Sequence, residues 1–181
     1  MKTKTILSVT AIACFALFAV DSMAQQNPKL SDAEVAHAAV TANQIDIDFA
    51  EIAKSKSNNT DVLKFAETMA NDHTAVIAQA AELAKRLGVT PVSNDVSKKL
   101  TADAEKTKKM LRATSKKNFN KVYIDNEVAY HKAVISAVEG VLIPETENSE
   151  LKELLQNVVP ALKAHLQHAE MVQKMFSSKS L

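Results

Sequence analysis

The sequence predicts an all-α protein whose core is a bundle of four long helices. The chain of 181 residues contains only two glycines, four prolines and no tryptophan, a composition typical of continuous helices. Apolar residues recur at alternating steps of three and four in segments that begin near Val62, Ile124 and Leu151, which is the spacing of a helix seam buried against partner helices. The residues after position 24 are enough for one domain with a proper core, so we expect a single helical domain at residues 25–181.

The first 24 residues have the pattern of a secretory signal peptide. Two lysines provide a positive start, residues 6–20 form an apolar stretch, and Ser22 and Ala24 are the small residues of a cleavage site. The sequence therefore predicts export across the inner membrane, to the periplasm or the outer membrane.

Removal of this segment would restrict the chemistry of the remaining chain. The single cysteine, Cys14, would be lost, which excludes disulfides and thiolate chemistry. Two lysines and one aspartate would also be lost, so the formal net charge would fall from +1 to zero. Because phosphate binding requires a basic excess, we expect no nucleic-acid partner.

Capping residues predict the limits of the first two helices. The first helix begins at a capping box, residues 31–34, and extends to about Ser55. The second begins with a cap on Asn59 or Thr60 and ends at Gly88.

Three further helices follow. A shorter, lysine-rich helix is predicted over residues 95–113, and the third long helix over about 118–142, where Pro144 ends it. The fourth long helix is predicted over about 148–176 and contains Pro160, which removes one hydrogen bond and favours a kink.

The connection lengths predict the topology. Helices one and two, and likewise the third and fourth long helices, are joined by a few residues and should form antiparallel hairpins. The second helix would be roughly 43 Å long, and the roughly 28 Å of helix in the connection plus its extended residues can return along that length. One long crossover between two hairpins is the ferritin-like arrangement. We therefore predict a ferritin-like four-helix bundle with a short extra helix in the long connection between helices two and three. An up-down bundle with a capping helix is the alternative.

One histidine lies near the middle of each of the three apolar stripes. His73, His131 and His165 should meet at one level of the bundle, where the first helix offers Asp46 and the third long helix offers Glu127. Imidazoles with one or two carboxylates suit iron, zinc, copper or manganese. The alternative is a buried hydrogen-bonded layer that only fixes the packing of the helices.

Other polar residues have simpler interpretations. Asp72 points about 100° away from His73 and is suited to orient an imidazole from outside the ligand set. His37 is predicted to be exposed beside a capping Glu34, and His168 to flank the seam. The basic run over residues 98–117 is typical of a solvated helix face, with a patch for anionic lipid or polysaccharide as the alternative.

Three motifs support a resemblance to a known family. They are residues 65–74, Tyr123-Ile124 followed by His131, and residues 160–162 followed by His165. Together they resemble a family of secreted bacterial ferritin-like domains of unknown function, often labelled predicted outer membrane proteins, over residues 31–175. The resemblance implies a ferritin-like bundle, an envelope location and a family role for Pro160.

The resemblance implies no activity. Family members usually carry a glutamate at the position of Asp46. The di-iron signature of true ferritins requires Glu-x-x-His on two helices, whereas only His131 has a glutamate in register, four residues before it.

The sequence thus favours a secreted or periplasmic protein that binds a transition metal through these histidines. A structural or stress-related envelope protein is the alternative, with association at a membrane surface as one possibility. A metal-dependent oxidase or peroxidase comes third.

Overall fold

The computed structural model describes residues 29–177, and within that range every long element is a helix. The predicted signal peptide, residues 1–24, lies outside the described residues. Five helices of more than one turn follow one another: α1 (Asp32–Lys56), α2 (Thr60–Leu87), α3 (Asp95–Ala113), α4 (Lys116–Ala137) and α5 (Ser149–Ser177). None of the helices within residues 29–177 is both long and apolar enough to cross a membrane.

Local capping determines where the first helices begin and end, as the sequence predicted. The Ser31 side chain accepts from the backbone N–H of Glu34, whose carboxylate accepts from the backbone N–H of Ser31, so the capping box is confirmed. Asn59 caps α2 by accepting from two backbone N–H groups. Gly88 ends α2 at φ 64°, a left-handed conformation that glycine adopts without a Cβ clash.

The third long helix differs from its prediction. The α-helical hydrogen bonding of α4 stops at Ala137, and a π-helical segment, Val138–Leu142, continues it into one last turn, Ile143–Glu145. Pro144 therefore lies inside the last turn and does not by itself terminate an α-helix over 118–142. Proline lacks an N–H and its ring clashes with the carbonyl four residues earlier, and we attribute the wider turn just before it to this clash.

Pairs of helices joined by short connections pack against each other. The α1–α2 pair and the α4–α5 pair have extensive contacts, while α2 also packs on α5 and α1 on α4. The connecting helix α3 lies mainly against α1. Pro160 is exposed within the continuous α5, so its missing N–H does not face the core.

The core divides into two clusters along the helix axes. We call the first the aromatic cluster, because its largest buried side chains are Phe49, Phe65, Phe119 and Tyr123. The second, the aliphatic cluster, includes Leu83 of α2, Ile135 of α4 and Leu155 of α5. On each of the four long helices a buried polar side chain lies between the two: Asp46, His73, His131 and His165. We call these four residues and Glu127 the polar layer.

Candidate metal centre

All five residues predicted for the site come together in the polar layer. Asp46 and Glu127 are fully buried, and the exposed fractions of His131, His73 and His165 are 1%, 4% and 6%. Burial of a polar side chain without a partner is unfavourable by about 1–3 kcal/mol per group. The contacts made by each atom of the layer therefore determine what it can do.

The three imidazoles form a triangle. Their ring centroids are 5.2 Å apart for His73 and His165, 5.6 Å for His131 and His165, and 5.9 Å for His73 and His131. One ring nitrogen from each lies within 4.8 Å of the other two. Three nitrogen atoms from three helices thus converge on one point.

The tautomer of His73 is fixed by Asn43, one turn before Asp46 on α1. The Asn43 amide nitrogen donates to the carbonyl of Ala39 at 2.8 Å, so its amide oxygen must be the atom 2.7 Å from His73 Nδ1. An amide oxygen only accepts, and Nδ1 therefore carries the proton. In the uncharged form of this ring, the lone pair is therefore on Nε2.

The other two imidazoles are fixed in the same way. His131 Nδ1 lies 3.0 Å from the backbone carbonyl of Glu127, which can only accept, so the proton is on Nδ1. His165 Nε2 lies 2.9 Å from a carboxylate oxygen of Asp72, so here the proton is on Nε2. The predicted orienting role of Asp72 is thus seen in its contact, although the ring it holds is that of His165.

The remaining ring nitrogens have no hydrogen-bond partner. They are His73 Nε2, His131 Nε2 and His165 Nδ1, and all three are buried. A histidine that ligates a metal typically donates its other ring N–H to a carboxylate or a carbonyl, which fixes the tautomer and turns the lone pair to the ion. All three histidines follow this pattern.

Asp46 provides an oxygen next to two of these nitrogens. Its Oδ2 lies 2.9 Å from His73 Nε2 and 3.3 Å from His131 Nε2, yet neither carboxylate oxygen forms an aligned hydrogen bond. Ligand atoms of a tetrahedral ion with bonds of about 2.0–2.1 Å are separated by about 3.3–3.4 Å. The donor spacing around Asp46 is therefore close to that of a metal site.

The pKa values of the two carboxyl groups in the polar layer shift in opposite directions. Burial raises the pKa of Asp46, but the imidazoles of His73 and His131 outweigh it and hold that pKa below its usual range. Burial and the charge of Asp46 raise the pKa of Glu127 well above its usual range. Of the two carboxyl groups, Asp46 is thus the one that favours the anionic form, and Glu127 the one that favours the neutral acid.

Burial keeps two of the histidines uncharged. Desolvation lowers the pKa of His131 and of His165, and this effect outweighs the nearby carboxylates. A neutral imidazole is the form that binds a metal ion. Glu127 forms a second convergent group with Asp46 and His131, again within 4.8 Å.

A known family model matches most of the chain, including all five residues of the polar layer. A family model described as domain of unknown function (DUF4142) matches residues 19–172. The chain belongs to the DUF4142 family. No curated protein and no solved structure matches the chain. The family description assigns no activity to this DUF4142 protein.

The remaining histidines of this DUF4142 protein lie outside the site. His37, predicted to be exposed, is partly buried and lies 3.4 Å from the Thr41 hydroxyl. His168 packs edge-to-face on Phe65 with centroids 5.2 Å apart, as a flanking residue would. In the basic run, Lys99 and Lys106 both contact Asp103, which is typical of a solvated helix face.

Asn43 is the functional residue that sequence reasoning missed. It lies outside the apolar stripe of α1, and an asparagine in a helix is more often exposed than buried. The sequence feature that could have identified Asn43 is its position three residues before Asp46, which puts both side chains on one face of the helix.

Proposed function

We propose that the protein binds one transition metal ion in the polar layer. The ligands are His73 Nε2, His131 Nε2, His165 Nδ1 and a carboxylate oxygen of Asp46. The observation that carries this proposal is the convergence of three imidazoles, each of which has one buried ring nitrogen without a partner. In each of these rings the opposite nitrogen is held by an oxygen acceptor.

The donor set indicates the class of metal. Three imidazole nitrogens and one carboxylate suit zinc, copper, iron or manganese, whereas calcium and magnesium prefer sites made only of oxygen. Proteins achieve further selectivity through geometry and metal availability. The proposal is therefore a divalent first-row transition metal.

The alternative, histidines that only lock the core, leaves several atoms unexplained. A packing layer should pair its own donors and acceptors, because each unpaired buried group is unfavourable by about 1–3 kcal/mol. Here three ring nitrogens and both oxygens of Asp46 lack an aligned partner. A single metal ion bound by the three histidines and Asp46 would give a partner to four of the five residues of the polar layer at once.

We place this centre in a ferritin-like bundle of an exported protein. The long helices pack as two pairs with α3 in the connection between them, which supports the ferritin-like arrangement. The lysines, apolar stretch and small residues of positions 1–24 support export to the periplasm or the outer membrane.

Elemental mass spectrometry tests the proposal. The full chain is expressed without a histidine tag, purified, and loaded in turn with zinc, copper, iron and manganese. We expect about one equivalent of metal to be retained, and at least tenfold weaker binding in each of His73→Ala, His131→Ala and His165→Ala. His37→Ala is the matched control and should retain metal, because His37 lies outside the layer.

Two results would overturn the proposal. One is the absence of retained metal for all four ions in a protein whose circular dichroism shows intact helices. The other is unchanged retention in all three single variants, which would place the metal elsewhere.

A further inference from the structure

A cavity of about 510 Å³ extends from the polar layer into the half of the molecule that holds the aliphatic cluster. Its volume lies within the roughly 300–1,000 Å³ of small-molecule sites. It follows α5 from His165 to Leu151, a distance of about 21 Å at about 1.5 Å per residue. The space is therefore long, and it includes the metal centre.

Most of the cavity wall is apolar, for a reason visible in the sequence. The part of α1 that faces it consists largely of alanines (Ala36, Ala38, Ala39 and Ala42), whose short side chains leave room that leucines would fill. Val76, Ile77 and Val158 complete the wall and are only partly buried. Small residues on one helix and partly buried branched residues on its neighbours thus form an apolar tunnel.

The metal centre forms part of the wall of this cavity, which also reaches Phe49 and Ala104 of the aromatic cluster. His73, His131, His165 and Asp46 line the cavity, whereas Glu127 does not. A metal held by the first four residues would take a ligand from the cavity by expanding from four- to five-coordinate, because all four of those residues line the cavity.

The cavity provides no other cation. No lysine or arginine from the described residues 29–177 lines it, and its acidic residues besides Asp46 have partners of their own. Asp72 contacts His165, and Asp103 contacts Lys99 and Lys106. An anionic head group that entered this cavity would find the metal ion as its only positive partner.

We infer that the cavity binds a long-chain fatty acid, with its alkyl chain along the apolar wall and its carboxylate on the metal ion. The inference rests on the proposed metal site, since nothing else in the cavity neutralises a carboxylate. The length of the cavity favours one extended alkyl chain, and the presence of one metal site in its wall favours an amphiphile with one anionic head group.

Binding of palmitate to the metal-loaded full chain tests the inference. Affinity is measured by isothermal titration calorimetry, with hexadecanol as a ligand of equal chain length that lacks the carboxylate. We expect palmitate to bind at least tenfold more tightly than hexadecanol, and this preference to disappear after the metal is removed with a chelator.

A matched pair of variants tests whether the alkyl chain of the ligand lies in the cavity. Ala80 lines the cavity, whereas Ala78 of the same helix is exposed and does not. Ala80→Phe fills the tunnel and should weaken palmitate binding at least tenfold without changing metal content. Ala78→Phe makes the same change of side chain outside the cavity and should bind palmitate as the unmodified protein does.

Each outcome distinguishes the two proposals. Retained metal without palmitate binding overturns the fatty-acid inference and leaves the metal site intact. Equal effects of the two phenylalanine variants overturn the assignment of the cavity. Palmitate binding by a protein that retains no metal overturns both the metal site and the contact of the carboxylate with it.

Discussion

Replacement of Asp46 by asparagine should show whether Asp46 is a metal ligand or only a packing residue. Asp46 is fully buried, and one of its oxygens lies within 3.3 Å of two imidazole nitrogens. Asparagine keeps the size of the side chain and removes its charge. We expect metal affinity to fall about 100-fold, which corresponds to about 2.7 kcal/mol.

Thermal unfolding measures this loss of metal affinity as a smaller metal-induced rise in Tm. A ligand at 100 times its Kd stabilises the folded state by about 2.7 kcal/mol, and at a concentration equal to its Kd by about 0.4 kcal/mol. A chain of this size shifts its Tm by about 2–4 °C per kcal/mol. At one fixed metal concentration, the unmodified protein should therefore gain about 5–11 °C and the Asp46→Asn variant about 1 °C.

The matched control is Asp48→Asn, two residues along the same helix. Asp48 contacts Lys108 at 2.8 Å and lies outside the polar layer. We expect this variant to show the full metal-induced shift. If Asp46→Asn shows the same metal-induced rise in Tm as Asp48→Asn, the carboxylate of Asp46 is not a ligand and the donor set proposed above is wrong.

Three further changes test the supporting contacts, the electrostatics and the core. Asp72→Asn should weaken metal binding about 10–100-fold by releasing the ring of His165, because partners of metal-ligating histidines have effects of that size; competition with a chelating dye measures it. Burial lowers the pKa of both His131 and His165. Below about pH 6.5 the unfolded chain therefore binds protons that the folded protein does not. The metal-free protein should lose stability as the pH falls from about 6.5 toward the lowered pKa values. Urea unfolding at pH 7.5 and 5.5 should show that His165→Gln loses less stability over this interval than the unmodified protein; an equal or larger loss would contradict the assigned shift. Met69→Ala should reduce the free energy of unfolding by about 2–5 kcal/mol because Met69 is fully buried, whereas Met110→Ala, at a site 43% exposed, should change it by no more than about 0.5 kcal/mol.

Sequence periodicity located the helices and the layer because both depend on local rules. The capping box at Ser31 and the left-handed glycine at Gly88 are set by neighbouring residues, so helix limits could be read directly. The three histidines stood out because each interrupts an apolar stripe at helical spacing, and residues on one stripe share a buried face.

Contacts between helices could not be read in the same way. The pairing of Asp72 with His165, and of Asn43 with His73, depends on the rotation and depth of two helices at once. A shift of a single residue moves a side chain by about 100° around its helix. The π-helical segment Val138–Leu142 was missed for a similar reason, since its residues suit an ordinary helix and only the clash at Pro144 widens the turn.

The two halves of the core give the polar layer different neighbours on its two sides. On one side Phe65 packs edge-to-face on His131, with centroids 6.5 Å apart, and the aromatic cluster leaves the ligand rings little freedom to move. A ligand set held by packing and by hydrogen bonds to its outer nitrogens binds without rearranging, which is the condition for a specific metal site.

The same layer also forms part of the wall of a largely apolar cavity, and this contact has a chemical consequence. An ion that keeps only four protein ligands is structural, whereas one that expands to five-coordinate also takes a ligand from outside. Here the cavity side of the layer lacks Glu127 and any basic side chain among the described residues, so a ligand from the cavity could reach an ion bound there. Such an ion would act as a Lewis acid in an apolar environment, where its attraction for an anionic oxygen is stronger than in water. The alanines of α1 would then serve binding, because they keep open the space through which such a ligand reaches the centre.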